Sequence, residues 1–469
     1  MGSPDKNLPF SPLLKREEKC RFLKKQFYKD MLWLFLAAYF VRLLMILPAG
    51  GDMESFFRTD TPTYMGPALS LLHDFTYSTA PGSGEMNFLR TPLYPFFLCV
   101  TFFLSGKSLL FTVLSSIFVS SISVSFFYGA ARKLLSRKYA LLAGWLFLLN
   151  PTAIAHSPLF LSDTLFTFFT LLSLWGFLFY IKKGKRMALA GSLLSAGLSC
   201  LTRPLALLWV FPAIFVICCI QKFSWKKRSL DCLLAFGIFF AVVFPWIFRN
   251  YLGGAGWRID AVSSGTSMHN RSALESRLTG IPGYRLRERY EKEAKTLFQK
   301  EKEKYASLDA RLSYHEKNLL ETVKQHPFSY LMLHFRHEVL LPDIATFFED
   351  LGLTTTGRNT WDVINREGIW AGVKHYFAGR MYLPFIILPL LVPVGIIYLG
   401  AVGRLLFALW KKEFFLILLF LLFSEYFLFM TGPIAMPRYQ MPALPFIYIL
   451  GASFLSILVK YRKKRKNLP

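Results

Sequence analysis

Apolar runs of about 17 to 25 residues recur along this chain, near 31–48, 109–131, 139–156, 163–181, 187–202, 204–221, 230–248, 382–403, 413–430 and 440–459. A run of that length is what a helix needs to cross the hydrocarbon core of a bilayer. No soluble domain could hide so much apolar surface. The expected fold is therefore all-α and polytopic, a bundle of about ten or more transmembrane helices. Of the 469 residues, 54% are hydrophobic, and the 48 Phe and 10 Trp suit lipid-facing and interfacial positions.

The charges give the bundle an orientation. The net charge of +26 would suggest nucleic-acid binding in a soluble protein. Here the basic residues sit in short blocks between apolar runs, which argues against a nucleic-acid partner. Blocks at Lys15–Lys29, Arg132–Lys138, Lys182–Arg186, Lys222–Arg228, Arg404–Lys412 and Lys460–Lys466 occupy every second connection. By the positive-inside rule these connections and both termini are cytoplasmic, in a cell inner membrane. The polar, basic first 30 residues predict no cleavable leader.

The implied organisation is a cytoplasmic basic segment 1–30, a membrane module 31–248 with a first periplasmic loop 49–108, a large periplasmic region 249–380, C-terminal membrane helices 381–460 and a basic cytoplasmic tail 461–469. Residues 91–105 are apolar but short and contain Pro92 and Pro95. Were they to cross, every later basic connection would change sides, so they are expected to lie along the interface. Within 285–320, Leu286, Tyr290, Ala294, Leu297, Tyr305, Leu308 and Leu312 have helical spacing and predict one or two surface helices. No CxxC pair occurs among the six cysteines, and no histidine spacing suggests zinc.

The polar residues that stand out lie at the outer ends of the spans. Asp60 is in the first outer loop and Asp163 opens a span after Asn150-Pro151 and His156-Ser-Pro158. Arg90, Arg203, Arg249 and Arg438 fall at the same level, where orientation requires no positive charge. Guanidinium groups grip phosphate through paired hydrogen bonds, and at membrane depth they demand an anionic partner. The expected site is a hollow in which arginines hold the phosphate of an amphipathic substrate and a carboxylate takes a proton from an acceptor hydroxyl. Single displacement at the sugar carbon would invert the anomeric centre.

Each residue has a plainer reading. Asp60 could cap the helix starting near Thr63, and Asp163 could cap its own span. Arg203 could serve only to neutralise Glu425, and Arg438 could be an interfacial anchor. His326, His334 and His337 suit an aromatic amphipathic helix better than a metal centre. Ser264 to Asn270 reads as a polar loop that could line the site.

Several motifs together resemble a known family. They are Asp60-x-x-x-Tyr64, Arg90 through Pro95, Asp163 after a proline-rich turn, Leu201-Thr-Arg-Pro204, Pro245-Trp-x-x-Arg-Asn-Tyr251 and Arg438-Tyr-x-x-Pro-x-x-Pro445. In order and spacing these resemble the C-type glycosyltransferases related to protein O-mannosyltransferases and to the aminoarabinose transferase acting on lipid A. The resemblance implies a polyprenyl-phosphate-sugar donor and a reaction on the periplasmic or lumenal face. It implies Asp60 and Asp163 as catalytic acids and Arg90 as a phosphate contact. Arg203, Arg249 and Arg438 join Arg90 as candidate phosphate ligands, with Tyr64, Tyr94 and Tyr439 as substrate contacts. Asp60 is followed by Thr61 and not by Glu; this departs from the mannosyltransferases and puts a protein acceptor in doubt. No cofactor is demanded, a divalent metal is left open, and the acceptor stays unassigned. A flippase of lipid-linked sugars, or a lipid-linked glycan ligase or polymerase, are the competing functions.

Overall fold

A computed structural model describes residues 11–335, 337–353, 360–434 and 436–466. The outermost residues of both basic ends, and the side chain of His337, lie outside the described residues. Among the described residues, twenty-one α-helices follow one another: α1 Ser11–Leu43, α2 Thr61–Asp74, α3 Leu93–Ser105, α4 Leu109–Leu134, α5 Arg137–Leu148, α6 Pro151–Ala155, α7 Asp163–Lys183, α8 Arg186–Thr202, α9 Val210–Cys218, α10 Trp225–Leu252, α11 Ala261–Thr279, α12 Gly283–Lys300, α13 Leu308–Gln325, α14 Pro327–Leu333, α15 Ile344–Asp350, α16 Thr360–Glu367, α17 Ile369–Tyr376, α18 Leu383–Trp410, α19 Phe414–Phe420, α20 Tyr426–Met430 and α21 Leu444–Lys466. No strand occurs among the described residues.

Among the described residues, six helical segments are long and apolar enough to cross a membrane: Leu23–Ala49, Leu109–Leu134, Asp163–Lys183, Trp225–Leu252, Leu383–Trp410 and Leu444–Lys463. The chain is a multi-pass membrane protein. The other four expected spans are shorter helices, and local chemistry explains the difference. The run 139–156 stops at Asn150, whose side-chain oxygen accepts from the Ala153 N–H and restarts the chain as α6 behind Pro151. The run 204–221 opens with a 3₁₀ turn at Pro204–Ala206 before α9. The run 413–430 passes through a π-helical turn at Leu421–Glu425, and Arg186–Thr202 has 17 residues. At 13 residues, α3 is roughly 20 Å long, shorter than the hydrocarbon core of about 30 Å.

One large core joins α1, α4, α5, α7, α8, α10, α18 and α21 through residues such as Phe127, Phe147, Phe177, Trp209 and Tyr448. A second cluster folds the first loop onto the start of α7: Phe56, Tyr64, Tyr94 and Leu98 bury against Phe160 and Leu165. That cluster positions α2 and α3 beside Asp163. The surface-helix expectation for 285–320 corresponds to α12 and α13, which bury Leu286, Tyr290, Ala294 and Leu312. Residues 261–279, read in part as loop, are helical, because Leu274 is fully buried and anchors α11 against its neighbours. The far end of the bundle is held by two matched clamps. Asp30 accepts from Tyr128 and Arg137, and Asp231 accepts from Tyr180, Arg186 and Lys227.

Candidate active site

Asp60 is the residue before α2, yet its side chain makes no capping hydrogen bond. Pro62 in the first turn needs no cap for its missing N–H, and the Asp60 carbonyl serves the turn by accepting from Thr63. The carboxylate is thereby free to point elsewhere. Its Oδ1 accepts from Arg90 Nη2 at 2.8 Å and its Oδ2 from Arg438 Nη2 at 3.0 Å. Burial alone would raise the Asp60 pKa, but the guanidinium groups of Arg90 and Arg438 outweigh it and hold the carboxyl below its ordinary value. The capping reading of Asp60 is thus replaced by an ionic one, and the same contact shows that Arg438 is more than an interfacial anchor.

Arg90 is fixed from three sides. Its Nε donates to Thr63 Oγ1 at 2.8 Å, its Nη1 to Tyr64 Oη at 3.2 Å, and its guanidinium stacks 4.4 Å from the Tyr64 ring centre. The Tyr64 hydroxyl in turn meets Ser162 Oγ at 3.1 Å, one residue before Asp163. Asp163 is in the first turn of α7 and is buried, ion-paired with Arg203. Arg203 therefore meets Asp163 and not Glu425, and it lies 5.0 Å over the Tyr439 ring. Arg438 sits 5.5 Å from the same ring, and its Nε is buried without a hydrogen-bond partner among the described residues. An unpaired buried guanidinium N–H is an open donor for an oxyanion.

These groups border a cavity of about 1360 Å³. Asp60, Tyr64, Arg90, Arg203, Arg438 and Tyr439 line it. Asp163 does not: Arg203 stands between it and the hollow, so the two expected carboxylates are neighbours but only Asp60 reaches the cavity. Tyr94 is buried edge-on against Tyr64, 5.0 Å between ring centres, and supports the wall without forming it. Three guanidinium groups against two carboxylates leave the cluster one positive charge in excess.

Arg249 lies apart from the lining. Its Nη1 donates to the Asn87 carbonyl at 2.8 Å and its Nη2 to the Tyr77 carbonyl at 3.2 Å, with the guanidinium stacked on Tyr77, Phe88 and Trp246. Asn250 and Trp246 hold the carbonyls of Arg258 and Ile259. The 245–251 motif is thus a clamp that ties the loop carrying Arg90 to the loop entering α11.

The opposite wall includes part of the 264–270 stretch that the sequence offered as lining the site: Thr266, His269 and Asn270 border the cavity. Asp260, His269, Arg277, Tyr284 and Arg287 from α11, α12 and the loop before them also line the cavity. Burial, then the nearby Arg287, lowers the His269 pKa. These residues sit in a hydrophilic stretch where charge is common, and only a turn-by-turn count along α11 would have put His269 and Arg277 near one face. His334 is tied by Nδ1 to the Phe429 carbonyl at 2.8 Å. No group of three or more His, Cys, Asp or Glu among the described residues is arranged to hold a metal. Around Asp60 the neighbours are cations, which do not fit a divalent ion.

A family model described as dolichyl-phosphate-mannose-protein mannosyltransferase matches residues 89–248. No curated protein matches the chain. The archaeal oligosaccharyltransferase AglB from Archaeoglobus fulgidus, in complex with an inhibitory peptide and a dolichol-phosphate, aligns over 95% of this chain and 52% of its own, at 13% identity and a TM-score of 0.52. An Archaeoglobus fulgidus oligosaccharyltransferase complex with zinc and sulfate covers 92% and 50% at 12% identity and 0.50. ArnT from Cupriavidus metallidurans bound to undecaprenyl phosphate covers 91% and 60% at 12% identity and 0.48. The chain thus spans about half the length of the oligosaccharyltransferases it matches. The two oligosaccharyltransferase likenesses concern the fold, which is the one the sequence motifs implied.

Proposed function

From this C-type glycosyltransferase architecture, we propose that the chain is an integral membrane glycosyltransferase that moves a hexosyl or pentosyl group from a polyprenyl-phosphate-linked donor to a hydroxyl on a lipid, glycan or protein acceptor. The observation that carries the reading is Asp60 held between Arg90 and Arg438 at the edge of the cavity, with the Arg438 Nε still open. The dolichol-phosphate bound by AglB and the dolichyl-phosphate-mannose of the matching family model support a lipid-phosphate donor.

The arginines supply the electrostatics. The acceptor oxygen attacks the anomeric carbon as the bond from that carbon to the phosphate oxygen breaks. The bonding pair leaves with the phosphate, whose growing charge falls on Arg90, Arg203 and Arg438. The acceptor proton goes to Asp60. In the resting site Asp60 is a weak base because two guanidinium groups hold it. A bound phosphate competes for those groups, and the carboxylate regains basicity as they turn toward the donor. Attack opposite the leaving group inverts the anomeric configuration. Asp163 acts through Arg203, as a positioning residue. Arg249 acts through the Arg90 loop in the same way. No step uses a metal.

The alternation of basic connections supports a cavity facing the periplasm or lumen with both termini cytoplasmic. The test is the purified chain in proteoliposomes with radiolabelled polyprenyl-phosphate sugars and lipid acceptors. Sugar transfer with release of free polyprenyl phosphate supports the reading. Translocation of intact donor without bond cleavage makes the protein a flippase, and transfer of a glycan from a diphosphate carrier makes it a ligase.

A further inference from the structure

The end of the bundle remote from the catalytic cavity carries a second concavity. Helix α7 has Asp163 in its first turn and Lys182 in its last, about 28 Å apart at the helical rise. Around Lys182, the C-terminal ends of α4 and α7, the loop before α10 and the start of α19 enclose a pocket of about 380 Å³. Its floor is apolar, made by Leu134, Leu178, Ile181 and the α19 residues Phe415, Leu416 and Leu419. Its rim holds Lys133, Lys182 and Lys222. The volume is within the range of about 300–1,000 Å³ in which small-molecule sites fall.

The three ammonium groups have no carboxylate partner among the described residues. Lys133 lies 4.4 Å over the Phe179 ring, and Lys222 donates to the Ile181 carbonyl, neither of which neutralises a charge. The acids at this end are already engaged. Asp231 is held by Arg186 and Lys227, Asp30 by Arg137, and Glu413 by Arg404 at 2.5 Å. Three like charges thus converge on one apolar slot with nothing to balance them. Solvated lysines at a helix end would be free to splay apart; these come from three separate elements and share one rim.

We propose that this pocket binds the phosphate of an anionic membrane phospholipid, with the first part of an acyl chain lying on Phe415 and Leu416. The lysines supply ammonium donors to the phosphate oxygens. The apolar floor excludes a free inorganic anion as the preferred ligand, because such an ion would leave Leu134, Phe415 and Leu416 facing water. Basic pockets between membrane helices recognise anionic head groups in this manner. The site is independent of the transferase reading, since it shares no residue with the catalytic cavity.

Native mass spectrometry of the full-length protein in detergent tests the assignment, with phosphatidylglycerol, phosphatidylcholine and inorganic phosphate as separate probes. The wild type should retain phosphatidylglycerol at least tenfold better than phosphatidylcholine. The triple variant K133Q/K182Q/K222Q should lose at least fivefold of that retention. The control K138Q/K185Q/K226Q removes equal charge from exposed lysines at the same end and should retain the lipid like the wild type. Thermal unfolding in a zwitterionic detergent should give both variants melting temperatures close to wild type. Should the pocket variant melt early, the single K182Q, whose lysine is exposed, replaces it and should lose at least twofold. Equal loss in the control and pocket variants overturns the proposal. So does unchanged retention in the pocket variant, or competition by millimolar inorganic phosphate as effective as by the lipid.

Discussion

Asp163→Asn isolates the pair that underlies the cavity. The Asp163 side chain is 4% exposed and that of Arg203 18% exposed, so the substitution leaves a guanidinium largely out of water with no anion opposite. Removing one member of a buried pair costs roughly 3–5 kcal/mol. The cavity side of Arg203 is open to water, which brings the expected cost nearer about 2–4 kcal/mol. With an unfolding entropy of roughly 2 cal/mol/K per residue, melting should fall by about 2–4 °C. Replacing both partners, D163N/R203M, removes the stranded charge and should recover most of that loss, giving a coupling energy of at least about 1.5 kcal/mol in the double-mutant cycle. Donor binding behaves differently. Both variants should bind polyprenyl phosphate roughly tenfold or more weakly, since an aimed guanidinium bond is worth about 1.5–3 kcal/mol. Thermal unfolding in detergent and a lipid-phosphate titration read the two effects separately. Losses in melting temperature that add in the double variant, or unaltered donor affinity in D163N, would refute the reasoning.

Gly66→Ala should lower the melting temperature and loosen residues 77–91 by hydrogen exchange, because an added Cβ would collide with the Thr79 carbonyl; overpacking of this kind costs about 1–3 kcal/mol, and an unchanged exchange pattern removes the close approach. Arg249→Met should speed exchange in the same loop and raise the donor KM several-fold by loosening the loop that carries Arg90; unaltered exchange would return Arg249 to the list of direct ligands. The depressed Asp60 pKa means that its ionised form stabilises the fold above its unfolded-state pKa of about 4, with that contribution lost only as pH falls through the lower folded value. Melting temperature should therefore show an Asp60-dependent decline only below about pH 4, and a decline centred near neutrality that disappears in Asp60→Asn would contradict the ion pairs.

What the sequence revealed follows from contrast. Asp60, Asp163, Arg90, Arg203 and Arg438 stand beside prolines at the ends of apolar runs, where an unneeded charge is costly, so each points to a partner. The structure does bring all five together. The same signal cannot say whether an arginine faces a ligand or a carbonyl, and Arg249 carries it while holding Tyr77 and Asn87. Nor does it tell front from back: Asp163 lies behind Arg203. The far wall was legible only in part: 264–270 was expected as a lining loop, but neither as a helix nor together with Asp260, Arg277 and Arg287. Asp260, His269, Arg277 and Arg287 lie in a hydrophilic stretch where charge is cheap, and Ser, Gly, Thr and Asn near 264–270 disguise a helix that tertiary packing of Leu274 and Leu286 imposes. The expected spans 139–156, 204–221 and 413–430 are broken because Asn150, Pro204 and the π turn at Leu421–Glu425 interrupt the helix without changing hydropathy.

The most direct test compares binding and turnover in Asp60→Asn. Asparagine keeps the shape but releases Arg90 and Arg438 from their internal anion. The account predicts that polyprenyl phosphate binds as tightly as to the wild type or more tightly, while single-turnover sugar transfer falls by about 10²–10⁴-fold, the range expected for loss of a positioned base. Transfer within tenfold of the wild type, or donor binding lost together with turnover, would contradict the assignment of Asp60 as the base.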